Sequence, residues 1–228
     1  MTAIKSFLRP LERYILPTAM LELDCGTAVA HGNSRIVHAH PEYPDRLVKL
    51  PRVHHSQGLS LRTLRRKIRP SGSYKSFLRE LYEYQRLARL FPQGQLPIPA
   101  IHGFVRTTLG IGLLVDTVTD DSGLGLAPTL ERLLSLGTEP SQLINPLERL
   151  WRCLYEIQPS IGDLHPGNIV WGRCRGKGGL FVIDGLGRSV LFPVDLWSQR
   201  VNRSRLETAH KNLVGAITSV QNQVKAEA

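Results

Sequence analysis

Between Ile161 and Trp171 the sequence reads Ile-Gly-Asp-Leu-His-Pro-Gly-Asn-Ile-Val-Trp, with Asp163 and Asn168 five residues apart in a Gly/Pro loop that enters an apolar run. Twenty-one residues after Asp163, a second apolar run, Leu180-Phe181-Val182-Ile183, ends in Asp184-Gly185. Four glycines from Gly172 to Gly179 predict a hairpin turn between the two runs. Such a hairpin would set Asn168, just before its first strand, beside Asp184, just after its second. Mg²⁺ is a hard cation that binds through one or two carboxylates together with substrate phosphates. Asp184 would supply the carboxylate and Asn168 a neutral oxygen, while Asp163 would face an incoming hydroxyl as proton acceptor or orienting group. The chemistry that uses this set is phosphoryl transfer.

The elements that must position these residues belong to a chain of 228 residues, enough for one large domain or two small lobes. Its 42% apolar and 21% charged content is that of a globular protein, and no apolar run is long enough to span a bilayer. Met1 to Leu23 is broken by Lys5, Arg9, Glu12 and Arg13, so no secretory leader is expected. Cys25, Cys153 and Cys174 are odd in number and widely spaced, which fits neither a disulfide framework nor a zinc knuckle and points to a reducing cytoplasm. Strands are expected at Ala19–Leu23, Ile36–Ala39, Leu47–Leu50, Gly103–Arg106 and Gly112–Val118, with a turn at Thr108–Gly110. A helix should run from Tyr74 to Leu90 with Phe77, Leu81, Tyr84 and Ala88 on one stripe. After a linker at Asp120–Leu126 the pattern turns helical, at Thr129–Leu136 and from Asn145-Pro146-Leu147-Glu148 to Ile157. Strands first and helices afterwards make an α+β chain in two lobes, residues 1–119 and 120–228.

The net charge of +10 is concentrated in one segment. Residues 46–89 hold twelve Lys or Arg against Glu80 and Glu83, and the rest of the chain balances to zero. Such a segment attracts phosphate on a nucleotide, a nucleic acid or an anionic surface; a solvated basic face is the plainer account of the charge alone. Within it, residues 52–72 read as an exposed insertion carrying Arg62, Arg65, Arg66, Lys67 and Arg69.

Asp163-Leu164-His165-Pro166-Gly167-Asn168 resembles the catalytic loop of the protein-kinase-like superfamily, above all its small-molecule kinase branch with the pattern G-D-x-x-x-x-N. Asp184-Gly185-Leu186-Gly187 stands where that superfamily has its D-F-G metal-binding turn. Three further stretches are similar to the YrbL-like family, named after a PhoP regulatory network protein: His40-Pro41-Glu42-Tyr43-Pro44-Asp45 ahead of Val48-Lys49, Leu109-Gly110-Ile111-Gly112-Leu113, and Ile183-Asp184-Gly185-Leu186-Gly187. The resemblance covers about residues 20–210 and implies a two-lobed kinase-like fold, an antiparallel sheet with one helix followed by a compact helical lobe, using ATP and Mg²⁺. By this likeness Lys49 would pair the nucleotide phosphates, with a glutamate of the following helix as its partner. Glu80 lies about 60° from the centre of the apolar stripe and Glu83 about 120°, which favours Glu80 and leaves Glu83 facing water. Gly32-Asn33-Ser34-Arg35 would cover the phosphates, although hairpin chemistry accounts for that turn equally well. Backbone groups of Asp116 and Val118 would meet the adenine.

Several features depart from a conventional protein kinase. Ile161 stands where many relatives carry a histidine that braces the loop, the phosphate-covering turn is poor in glycine, and 41 residues follow Gly187. These favour a small-molecule acceptor over a protein. They also keep two alternatives in view: a kinase-fold nucleotide-binding regulator with little turnover, and a basic nucleic-acid or anionic-surface binder acting through residues 46–89. His31, His38, His40, His54 and His55 match no metal-ligand spacing and read as polar surface residues. His165 reads as a hydrogen-bonding member of its loop, and Trp151, Trp171 and Trp197 as core.

Overall fold

The computed structural model describes residues 16, 19–32, 34–52, 72–91, 96–187 and 195–227. Its elements are β1 (Ala28–His31), β2 (Arg35–Ala39), β3 (Arg46–Pro51), α1 (Gly72–Leu90), β4 (Ile101–Thr107), β5 (Gly110–Asp116), α2 (Leu130–Ser135), α3 (Pro140–Ile157), β6 (Ile169–Cys174), β7 (Lys177–Val182) and α4 (Asp195–Glu227). This is the expected α+β arrangement, an antiparallel sheet first and a helical region after it. The expected insertion at 52–72, Trp197's side chain, and His54 and His55 lie outside the described residues, save Arg52 and the backbone of Gly72 and Trp197.

The chain divides into two units. One takes the chain up to Leu81 together with Ala100–Thr117; the other takes Tyr82–Pro99 and Val118 onward. The second boundary thus falls after Thr117, where the sequence reading put it after residue 119. Residues 82–99, which the sequence reading put in the first lobe, pack with the second unit.

In the first unit the strands are ordered β1-β2-β3-β5-β4, antiparallel throughout. Register decides what each face carries. Val37 opposes Lys49, and Lys49 opposes Leu113, so these side chains share one face; Val48 and Leu114 oppose each other on the other. Val48, Leu50, Val105 and Leu114 form a core there with Leu21. Phe77 and Leu81 of α1 are buried, as the stripe of the sequence required.

The segment Ala19–Leu23 is not a strand. Leu21 makes one isolated bridge to Thr107, and Asp24 then caps a 3-10 turn at Cys25–Thr27 by accepting from the Gly26 N–H at 3.1 Å. The Leu21 N–H donates to the Arg106 carbonyl and its carbonyl accepts from the Thr108 N–H, but the capped turn ends the pairing there, and the edge strand forms afterwards at Ala28–His31.

In the second unit, α3 lines Leu143, Leu147, Leu150, Trp151, Leu154 and Ile157 along one buried face, joined by Leu206, Leu213 and Ile217 of α4. The helix begins at Pro140, not Asn145, and holds Pro146 in its interior. Pro146 forfeits one i→i−4 bond, but the apolar face extends upstream of it through the buried Leu143, and that burial outweighs the missing bond. The glycine-rich hairpin turns more tightly than its four glycines suggested. Cys174 opposes Lys177 across Arg175 and Gly176, both at positive φ (49° and 75°), as a two-residue hairpin loop requires.

Leu154 is fully buried between α3's neighbours. Leu154→Ala should lower unfolding stability by about 2–5 kcal/mol. Urea titration would show it as a lower midpoint at unchanged slope; an unchanged midpoint would contradict this packing.

Candidate functional site

The loop of the second unit is built mainly from backbone bonds. The Gly162 N–H donates to the Gly185 carbonyl at 2.8 Å, and the Gly187 N–H donates to the Ser160 carbonyl at 2.7 Å. Ile161, flanked by these bonds, bridges Leu186, and both side chains are buried. An apolar contact therefore braces the loop at the position where a histidine was noted as missing. Gly185 sits at φ 85°, and a Cβ there would lie 1.9 Å from the Asp163 carbonyl oxygen, so neither the conformation nor the space admits a side chain.

The hairpin does bring Asn168 and Asp184 together. Ile169 opposes Val182, and the Ile183 N–H donates to the Asn168 carbonyl at 2.9 Å. Asn168 closes the 3-10 turn Pro166–Asn168, which His165 caps by accepting from the Gly167 N–H at Nδ1. The Asn168 side-chain Nδ2 donates to the Asp163 carbonyl at 3.1 Å, which commits the amide nitrogen inside the loop and turns the amide oxygen toward other partners. Asp184 accepts from the Gly185 N–H through Oδ1. The Asp163 side chain is 76% exposed, with His165 Nε2 at 3.9 Å from its Oδ2. One carboxylate and one amide oxygen, both hard donors, fit a cation that takes its remaining ligands from phosphate and water. Among the described residues no group of three His, Cys, Asp or Glu could hold a metal by itself.

Glu83 was expected to face water and does not. It is 8% exposed, and its Oε1 accepts from the Ser160 N–H at 2.7 Å. Arg86 pairs both its oxygens and reaches the Gln158 carbonyl. Asn202 of α4 donates to the Pro159 carbonyl from a buried position. Glu83, Arg86 and Asn202 thus hold residues 158–160, the stem from which the Asp163 loop springs.

In the first unit, Lys49 Nζ donates to Glu80 Oε1 at 2.8 Å, and Arg35 donates to Oε2 at 2.5 Å. Glu80 is 1% exposed. Burial pushes its carboxyl pKa upward, but the charges and hydrogen bonds of Lys49 and Arg35 outweigh that and hold it below the ordinary value. Glu80 is therefore the partner of Lys49, and Arg35 is a neighbour that the sequence reading left in a turn.

At that turn the Gly32 N–H donates to the Arg35 carbonyl, while Arg52 binds the carbonyls of Ser34 and Gly32. Asn33 lies outside the described residues. Of the groups assigned to adenine, the Asp116 N–H donates to the Ala100 carbonyl and the Val118 carbonyl accepts from the Ala127 N–H. The Asp116 carboxylate meets His102 Nε2 at 2.5 Å.

His38 and His40 are buried rather than on the surface, and burial lowers both their pKa values. His40 Nδ1 accepts from the N–H groups of Glu42 and Tyr43, which explains the histidine heading the His40–Asp45 turn. Cys25, Cys153 and Cys174 form no disulfide, and no helix among the described residues is long and apolar enough to cross a membrane.

A family model described as PhoP regulatory network protein YrbL matches residues 21–217. The chain belongs to the YrbL family. The YrbL proteins of Escherichia coli (strain K12) and Shigella flexneri are each 29% identical over 183 residues, 79% of this chain and 80% of theirs. Among solved structures, the bifunctional kinase-methyltransferase WbdD is similar over 76% of this chain, at 16% identity and a TM-score of 0.43. The chain spans 34% of that protein's length. In this YrbL-family chain the motif residues Asp163, Asn168 and Asp184 lie in one backbone-bonded loop, and Lys49 and Glu80 in one ion pair.

Two outcomes test this geometry. Gly185→Ala should lower stability by about 3 kcal/mol and speed hydrogen exchange at the Gly162 and Gly187 amides; unchanged exchange there would refute the stitching of the loop. For Glu80, a depressed folded-state pKa contributes stability that is complete above the ordinary value near 4.5 and is lost as pH falls through the folded value. The stability gap between wild type and Glu80→Gln, followed by urea denaturation, should be constant from pH 7 to about pH 5 and close as acidification proceeds.

Proposed function

We propose that this protein is an ATP- and Mg²⁺-dependent phosphotransferase of the YrbL type whose acceptor is a small molecule. The observation that carries the reading is the loop in which Asn168 and Asp184 are neighbours and Asp163 stands exposed at its rim. The buried Lys49–Glu80 pair supports it from the other motif.

In this reading Lys49 takes phosphate oxygens as a point charge, oriented by Glu80. Asn168 Oδ1 and the Asp184 carboxylate would hold Mg²⁺, which would supply charge neutralisation at the phosphates. Asp163, open to solvent, hydrogen-bonds the acceptor hydroxyl and receives its proton as the phosphoryl group leaves the nucleotide. The rate would come from positioning and charge neutralisation. The 3-10 turn capped by His165 sets the spacing of Asp163 and Asn168, and the Asn168 amide bond to the Asp163 carbonyl keeps it.

Calorimetry with Mg²⁺-ATP on wild type, Asp184→Asn and a variant neutralising Arg62, Arg65, Arg66, Lys67 and Arg69 tests the reading. Binding in wild type should weaken at least about tenfold in Asp184→Asn and survive in the charge-neutralised variant. Asp163→Asn should then retain nucleotide binding and lose turnover on an acceptor. Turnover absent from wild type with every candidate acceptor would favour the nucleotide-binding regulator. No nucleotide binding in wild type would sink both and leave the basic segment as the lead.

A further inference from the structure

Glu80 is held by two cations, one on each oxygen. Lys49 takes Oε1 and Arg35, the first residue of β2, takes Oε2. The β2–β3 register places Arg35, Val37 and Lys49 on one sheet face. The Arg35 guanidinium also lies 4.7 Å over the Phe77 ring, and Phe77 precedes Glu80 by three residues on the same side of α1. Arg35 is thus fixed at two points of one helix face, with a side chain only 11% exposed.

Phosphate binding makes two demands on Lys49. Its ammonium must orient on Glu80 and also reach phosphate oxygens. A lysine drawn toward phosphate loosens its hold on the carboxylate, and a buried carboxylate deprived of its cation is strongly destabilising. A guanidinium is always charged, planar and pre-organised for carboxylate oxygens. Because it uses the other oxygen, it keeps Glu80 charged and in place whatever Lys49 does.

We propose that Arg35 is a positioning residue of the nucleotide site, holding Glu80 through its own oxygen so that Lys49 can be shared with phosphate without stranding a buried charge. The proposal rests on the phosphotransferase reading and adds to it a residue that acts through Glu80 rather than on the nucleotide.

The test is calorimetry of Mg²⁺-ATP and of adenosine on the full chain, as wild type, Arg35→Leu, Arg35→Lys, Glu80→Gln and Arg35→Leu/Glu80→Gln. Arg35→Leu should weaken Mg²⁺-ATP about tenfold and leave adenosine within about twofold, since only the phosphate end depends on Lys49. Arg35→Lys should recover most of the loss. In the Glu80→Gln background, with no carboxylate to hold, Arg35→Leu should cost nothing further. An equal further loss there would overturn the proposal in favour of direct phosphate contact. Equal weakening of adenosine and ATP, or no weakening of either, would reduce Arg35 to a fold contact. Wild type binding neither ligand would instead overturn the phosphotransferase reading itself, and the proposal with it.

Discussion

A carboxylate as deeply buried as Glu80 must be neutralised where it stands, and the architecture of the first unit follows from that demand. Desolvation alone would raise its pKa, and two cations on separate oxygens bring it below the ordinary value instead. They come from different strands, Arg35 at the start of β2 and Lys49 in the middle of β3, so the sheet register is tied to the helix through charge. Rotating α1 by one residue, about 100°, would carry Glu80 away from both. The buried Phe77 and Leu81 forbid that rotation from the apolar side. Packing and electrostatics select the same helix orientation, and Arg35, which touches both Phe77 and Glu80, takes part in each.

The second unit secures its loop differently. Its bonds run between main-chain groups of residues 160–163 and 185–187 and owe little to ionisation. Such contacts depend on the absence of side chains, which is why Gly185 cannot be replaced, and on a dry flank, which Ile161 and Leu186 supply. The exposed Asp163 carboxylate is therefore carried by a frame of main-chain bonds.

Much of this was legible from residue order. Alternation showed β2, β3, β4 and β5; the 77/81/84/88 stripe showed α1; and the strand-turn-strand around Gly176 brought Asn168 to Asp184 because hairpin register leaves no other choice. What escaped depended on partners distant in sequence. Ala19–Leu23 has strand-like residues, but the cap at Asp24 interrupts it. Pro146 looked like a helix start, because local chemistry says nothing of the cluster that buries Leu143 ahead of it. Arg35 was read as part of a turn because its partner lies 45 residues away.

Glu83 shows most clearly how a single-stripe reading fails. An amphipathic helix has one wet face only while one surface packs against it. Glu80, Glu83 and Leu87 stand three and four residues apart, on one side of α1. Leu87 is fully buried, in the cluster that α3 builds. Tyr84 and Ala88 of the stripe pack against that same cluster, so a leucine beside the stripe was the visible sign of a wider packed surface, on which a carboxylate has to find a donor. Glu83 finds the Ser160 N–H and Arg86. One helix therefore gives each unit a buried carboxylate, Glu80 to hold Lys49 and Glu83 to hold the stem of the Asp163 loop.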